Sequence, residues 1–115
     1  MPAGLYNFAA EQGATLERVI TYTDPDGVII NLTSYTALMQ VRSTAASATV
    51  ILELSTGDGI TINGAAGTLT LLVSAADMTA LTPGSYVYDL EITAPGGKVT
   101  RLIEGKFAVK AEVTR

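Results

Sequence analysis

Apolar and polar residues alternate along several short stretches of the chain. In the clearest, residues 85–93, one face carries apolar side chains and the other carries Asp89 and Glu91. A repeat of two residues places successive side chains on opposite faces of a strand, so each stretch predicts a half-buried β-strand. The apolar positions that define these strands are Leu16, Ile20, Tyr22, Tyr35, Ala37, Met39, Val41, Val50, Leu52, Leu54, Leu69, Leu71, Val73, Tyr86, Tyr88, Leu90, Ile92, Phe107 and Val109.

Turn-forming sequences separate the predicted strands. Asp24-Pro25-Asp26-Gly27 combines a proline that fixes φ with a glycine that tolerates positive φ, and Ala94-Pro95-Gly96-Gly97 has the same character. Ser74 is a favourable N-cap residue for one short helical turn, which Pro83-Gly84 ends. The sequence therefore predicts an all-β fold, an Ig-like β-sandwich of about seven to eight antiparallel strands with one short helical turn.

The hairpin around Ala94-Pro95-Gly96-Gly97 has two candidate registers. With a bulge at Gly97, Glu91 lies opposite Arg101 and Leu90 lies opposite Leu102, so each face of the hairpin stays uniform. Without the bulge, Leu90 would face Arg101 and the core would hold a charge. We therefore predict the bulged register.

The length of 115 residues allows one hydrophobic core, so residues 1–115 are predicted to form a single domain. Residues 1–4 and 111–115 are expected to be short terminal arms that order on assembly. The first residues lack the basic region and apolar core of a secretory signal, which indicates synthesis in the cytoplasm. No apolar run approaches the roughly 18 residues of a membrane span, so no membrane partner is expected.

The sequence contains no histidine and no cysteine. A Ser-His-Asp triad, a thiol nucleophile and a Cys/His zinc site are therefore excluded. Asp89 and Glu91 remain as carboxylates, but nothing nearby in the sequence supplies an apolar pocket to tune them for acid–base catalysis. Asp24 begins a stretch similar to a calcium loop, yet its twelfth position is Tyr35 instead of glutamate. We predict no enzyme activity, no metal, no cofactor and no small-molecule ligand.

Charge and hydropathy point towards protein partners. The net charge is −4, which disfavours nucleic acid as a partner. The hydrophobic fraction is 48% and the charged fraction is only 16%. Apolar residues also occupy outward positions of the predicted strands, and an exposed apolar patch commonly marks a subunit contact. We predict that the chain is a homo-oligomer or occurs in many copies, with an interface that includes Leu38, Ile51, Leu72 and Val87.

The tyrosines leave a second function open. Aromatic side chains on strands can form a platform for carbohydrate, or they can pack in the core with the hydroxyl group at the rim. A carbohydrate-binding or adhesion module is therefore the alternative to an assembly protein. The residues concerned are Tyr6, Tyr22, Tyr35, Tyr86 and Tyr88.

Seven segments of the chain follow one another in a characteristic order. The segments are EQGAT (11–15), DG (26–27), LTSYTALMQVR (32–42), LTPGSYVYDLEI (81–92), VTRLIEG (99–105), FAV (107–109) and EVTR (112–115). This order resembles that of small structural proteins of tailed bacteriophages, and it is also similar to the Ig-like N-terminal domain of phage upper-baseplate proteins. The resemblance implies a non-enzymatic virion protein, present in many copies and docked on other capsid or tail/baseplate subunits. Whether it would lie on the head or on the tail stays open.

Overall fold

The structure is a computed structural model that describes residues 4–24 and 26–111. Most of the two predicted terminal arms, residues 1–3 and 112–115, therefore lies outside the described residues. Gly4, which the sequence places in the N-terminal arm, instead begins a strand.

Nine β-strands and one short α-helix make up the regular structure of the described residues. The strands are β1 Gly4–Leu5, β2 Phe8–Glu11, β3 Leu16–Thr21, β4 Thr36–Arg42, β5 Leu52–Thr56, β6 Gly59–Asn63, β7 Thr68–Val73, β8 Gly84–Thr93 and β9 Val99–Lys110, and the helix is α1 Ala75–Thr79. The prediction of an all-β fold with one short helical turn is confirmed.

The strands form one sheet in the order β1-β9-β8-β4-β5-β6-β7-β3, with β2 also pairing with β9. We call β1, β2, β9, β8, β4 and β5 the first arm of the sheet, and β6, β7 and β3 the second arm. A short parallel contact, Ser55 with Gly59 and Thr56 with Ile60, joins the arms. The sheet curls into a half-barrel, an arrangement consistent with a β-sandwich.

The inner faces of the two arms share one hydrophobic core. Burial follows the predicted alternation, because each strand contributes every second side chain. Removing one such large aliphatic side chain from water stabilises the fold by about 1.5–3 kcal/mol. The buried residues are Phe8, Ala10, Leu16, Leu32, Ala37, Met39, Val41, Leu54, Ile60, Leu69, Leu71, Val73, Met78, Leu81, Tyr88, Leu90, Ile92, Phe107 and Val109.

Two strands at one edge of the sheet depart from the predicted antiparallel pattern. β1 and β2 run parallel to β9, with Phe8 beside Phe107 and Glu11 beside Lys110. Parallel neighbours need a long connection, which here is most of the chain. A local turn sequence therefore cannot predict this pairing. The β-sandwich prediction stands, but its strands are not antiparallel at this edge or at the short β5–β6 contact.

The β8–β9 hairpin has the predicted charge pairing but a different bulge. Glu91 lies opposite Arg101, as predicted. Leu90, however, lies opposite Ile103, and the register shift falls between Leu90 and Glu91 instead of at Gly97. Leu102 is consequently the extra residue, and the hairpin keeps Arg101 away from the core.

The other edge of the sheet is β3, whose only strand neighbour among the described residues is β7. Arg18 interrupts the inner face of β3, opposite the buried Leu71. Its Nη1 donates a hydrogen bond to the Glu17 carbonyl oxygen at 2.7 Å. An inward-pointing charge on an edge strand discourages pairing with a strand of another chain. This role explains the break in the apolar pattern.

The helix begins as the sequence predicts. Ser74 adopts an extended conformation, and its Oγ accepts a hydrogen bond from the Asp77 backbone N–H at 3.2 Å. Met78 is the buried residue of the helix and packs into the core.

Ser74→Ala should lower the free energy of unfolding by about 1 kcal/mol, because one N–H group of the first turn loses its acceptor. Chemical denaturation measures the loss. Ser43→Ala, in an exposed loop, is the matched control and should change stability by less than about 0.5 kcal/mol. Equal losses in the two variants would show that the cap does not stabilise the helix.

Candidate functional site

The four residues predicted to form an interface are not all neighbours in the structure. Leu38 lies opposite Glu91 on the outer face of the first arm, and Val87 lies on the same face. Leu72 is on the outer face of the second arm, where it is 46% exposed. Ile51 precedes β5 and packs partly against the core. Their role in an interface stays a prediction, but they do not form one continuous patch.

An open groove of about 770 Å³ lies on the outer face of the first arm. Val87 of β8 is one of its lining residues. Leu5 and Asn7, from the N-terminal segment beside β9, line one side, and Ala45, in the loop after β4, lines the other. The groove therefore brings together strands that are far apart in the sequence.

A basic row crosses the groove. The strand registers place Lys106 of β9, Val87 of β8 and Arg42 of β4 side by side. Arg42 donates hydrogen bonds to the Ser47 carbonyl oxygen at 2.7 Å and to Gln40 Oε1 at 2.8 Å. Both acceptors are neutral, so they orient the guanidinium group without compensating its charge. Within the described residues, neither Lys106 nor Arg42 forms an ion pair.

An acidic row lies next to the basic row. The row consists of two carboxylates that lie opposite each other, Glu104 of β9 and Asp89 of β8, and the neutral Gln40 continues it on β4. Two carboxylates directly opposite each other destabilise a strand pair. Arg101 offsets part of this repulsion, since its Nε lies 3.4 Å from Asp89 Oδ2 and its Nη2 lies 3.9 Å from Glu91 Oε1. Glu104 has no ion-pair partner in the part of the chain that the structure describes.

An aromatic cluster supports the groove from the inner face of the sheet. The Phe8 ring lies 4.9 Å from the rings of both Tyr6 and Tyr88, with edge-to-face geometry. Phe107 completes the cluster, 5.5 Å from Phe8. Such pairs contribute about 0.5–1.5 kcal/mol beyond the burial of their area. The cluster joins the N-terminal segment to β8 and β9.

Polar contacts fix the same segment where it lines the groove. The Tyr88 hydroxyl group donates a hydrogen bond to the Tyr6 carbonyl oxygen. Burial raises the pKa of the Tyr88 phenol well above its usual range, with Tyr6 and Glu104 contributing further, so the group stays a neutral donor. Asn7 Oδ1 accepts the Lys106 backbone N–H at 3.0 Å. These contacts position the Asn7 side of the groove.

The tyrosines do not form an exposed platform. Tyr88 is buried, whereas Tyr22, Tyr35 and Tyr86 are partly buried against the core. Only Tyr6 is well exposed, at 42%. The alternative of a carbohydrate-binding or adhesion module therefore loses its structural basis, because core packing accounts for the aromatic residues.

The described residues were also predicted to hold no metal and to cross no membrane. Among residues 4–24 and 26–111, no group of three or more histidine, cysteine, aspartate or glutamate side chains could hold a metal ion. The described helix is too short to cross a membrane.

Sequence reasoning identified Val87 but missed most of the other groove residues. In the sequence alone, three of them are indistinguishable from ordinary surface charges: Arg42, Lys106 and Glu104. Only the strand order places them in the basic and acidic rows. The signal that could have found them is the repeat of long polar or charged residues at every second position, Glu104 with Lys106 and Gln40 with Arg42, on strands that pair with β8. Leu5 and Asn7 give no such signal, because they reach the groove only through the parallel edge.

No protein-family model matches the chain, and no curated protein matches it. Its fold is similar to that of CopC from Methylosinus trichosporium OB3b, with a TM-score of 0.50 and 14% sequence identity. The alignment covers 99% of this chain and 91% of CopC. At this level of identity the similarity shows the fold, and no ligand or activity follows from it.

The comparison corrects the predicted function. The solved structure compared above is CopC, which points away from a virion role, and the prediction of a bacteriophage virion protein was wrong. The segments that suggested it are strands and turns, and these recur in β-sandwiches of unrelated function. The resemblance to phage proteins and the predicted location in the virion have no support from a matching protein.

Proposed function

We propose that this chain is a non-catalytic binding module that holds an extended segment of a partner protein in the outer groove of the first arm. The observation that carries the proposal is the groove itself, which is lined by Val87 and by charged side chains of both signs. Its volume of about 770 Å³ lies within the usual range of binding sites, about 300–1,000 Å³.

The shape of the groove favours a chain segment over a small molecule. Small ligands bind in sites that bury about 70–90% of their surface. This groove is open towards solvent and lies on the outer face of the sheet, so it can contact one face of an extended peptide. Peptide recognition commonly combines a few side-chain contacts of this kind with an extended backbone. The lack of histidine and cysteine removes the commonest nucleophiles and bases of enzymes, which supports binding as the task.

A synthetic peptide array tests the proposal. We expect the fluorescently labelled chain to bind a subset of immobilised ten-residue peptides of random sequence. Val87→Glu should abolish this binding, because it replaces an apolar lining residue of the groove with a carboxylate. Val99→Glu is the matched control, since Val99 is 56% exposed and does not line the groove.

Circular dichroism and thermal unfolding of both variants establish that they are folded. The proposal is overturned if the unmodified chain binds no peptide. It is equally overturned if Val87→Glu binds the same peptides with unchanged strength, because the binding site would then lie elsewhere, for example at the open edge of β3.

A further inference from the structure

We infer that the groove selects a segment with an acidic residue and a basic residue two positions apart, in an extended conformation. This inference rests on the proposed function and names the chemistry of the partner. It follows from three properties of the basic and acidic rows: their charge, their incomplete neutralisation and their spacing.

The basic row fits a carboxylate. Lys106 and Arg42 flank Val87 on the two neighbouring strands, so their Cα atoms are about 9–10 Å apart. Both side chains are long and can converge above the small valine. Arg42 is already oriented by its hydrogen bonds to Ser47 and Gln40, which reduces the entropy lost when it binds an anion. An acidic side chain above Val87 would meet two cations that have no ion-pair partner in the described residues.

The acidic row fits an ammonium or guanidinium group. Glu104 and Asp89 oppose each other directly, and Arg101 reaches Asp89 but forms no ion pair with Glu104. A cation above this pair would relieve the remaining repulsion. The contact is favoured because the carboxylates are already held together by the strand register.

The distance between the rows matches an extended peptide. Val87 and Asp89 are two residues apart on β8, which corresponds to about 6.8 Å along the strand. Side chains two residues apart on an extended peptide point to the same side with the same spacing. A peptide lying along β8 can therefore place its acidic side chain on the basic row and its basic side chain on the acidic row at once.

Four synthetic nine-residue peptides of alternating threonine and valine test this inference. At the fourth and sixth positions they carry glutamate and lysine, two glutamines, two glutamates or two lysines. Fluorescence anisotropy should show that the glutamate–lysine peptide binds at least tenfold more tightly than the glutamine peptide. Raising the salt concentration should reduce this difference, because partly exposed charges are screened.

Lys106→Glu provides the decisive variant. It converts the basic row into one with opposing charges, so the glutamate–lysine peptide should bind at least tenfold more weakly and the two-lysine peptide more tightly. Lys98→Glu, in the turn before β9 and outside the groove, changes the net charge equally and should alter neither affinity by more than about twofold.

The outcomes separate this inference from the proposed function. If array peptides require Val87 but show no preference for the acidic–basic pair, the groove binds segments and the charge selection is wrong. If Lys106→Glu and Lys98→Glu weaken binding equally, net charge explains the effect and the inference is overturned. If no peptide binds at the groove, both proposals fail.

Discussion

Tyr88→Ala should lower the free energy of unfolding by about 3–5 kcal/mol, the range seen when large core aromatic residues are truncated. Tyr88 is only 5% exposed, and its ring packs edge-to-face against Phe8 at 4.9 Å. Truncation would leave a cavity at the centre of the aromatic cluster and remove the hydrogen bond to Tyr6. Chemical denaturation with an unchanged m-value would measure the loss directly.

Two variants separate the causes of this loss. Tyr88→Phe keeps the ring and removes the hydroxyl group, so it should cost about 1 kcal/mol, the usual net contribution of a hydrogen bond. Asp89→Ala, on the opposite face, should stay within about 0.5 kcal/mol, because it loses an exposed ion pair and relieves the repulsion with Glu104. Equal losses for Tyr88→Ala and Asp89→Ala would contradict the assignment of the two faces.

Gly105→Ala should destabilise the chain by about 1–3 kcal/mol, as other substitutions that overfill a packed site do. A Cβ atom at this position would lie 2.4 Å from the Tyr6 carbonyl oxygen and 2.7 Å from Asn7 Oδ1. The nearest of these atoms is backbone, so the N-terminal segment must move away from β9. Hydrogen exchange should accordingly show lost protection in β2, and the peptide affinity of the groove should fall with it.

Gly96→Ala is the control for this substitution. A Cβ atom at Gly96 would have no neighbour within 4 Å, and the turn leaves its side exposed. Its stability should change by less than about 0.5 kcal/mol. Unchanged stability and unchanged protection of β2 in Gly105→Ala would mean that the N-terminal segment is not closely seated against β9.

Much of the core was predictable because alternation places every second side chain of a strand on the same face. Met39 and Val41, like Leu90 and Ile92, lie on the inner face for this reason, whatever strands they pair with. The charge pairing of Glu91 with Arg101 was also predictable, since a core excludes arginine. The position of the bulge was not, because Leu102 and Ile103 are both apolar and either can face Leu90.

Most of the candidate site could not be predicted from the sequence. The basic row needs β4, β8 and β9 to be neighbours, and strand order depends on the whole topology instead of on local pattern. Val87 attracted notice as an apolar residue at an outward position, yet its partners Lys106 and Arg42 are separated from it by many residues in the chain. The position of an exposed charged residue in the sequence does not show which residues lie beside it on the adjacent strands. That requires the register of the strand pairs.

The parallel edge of the sheet has a consequence for how the protein is made. β2 pairs with β9, although β9 follows every other strand in the chain. β1 and β2 therefore stay unpaired during synthesis until β9 has left the ribosome, and such distant contacts make folding slow, on the order of milliseconds to seconds. Leu5 and Asn7 reach the groove only once this pairing forms. We therefore expect the groove to be one of the last features of the fold to form.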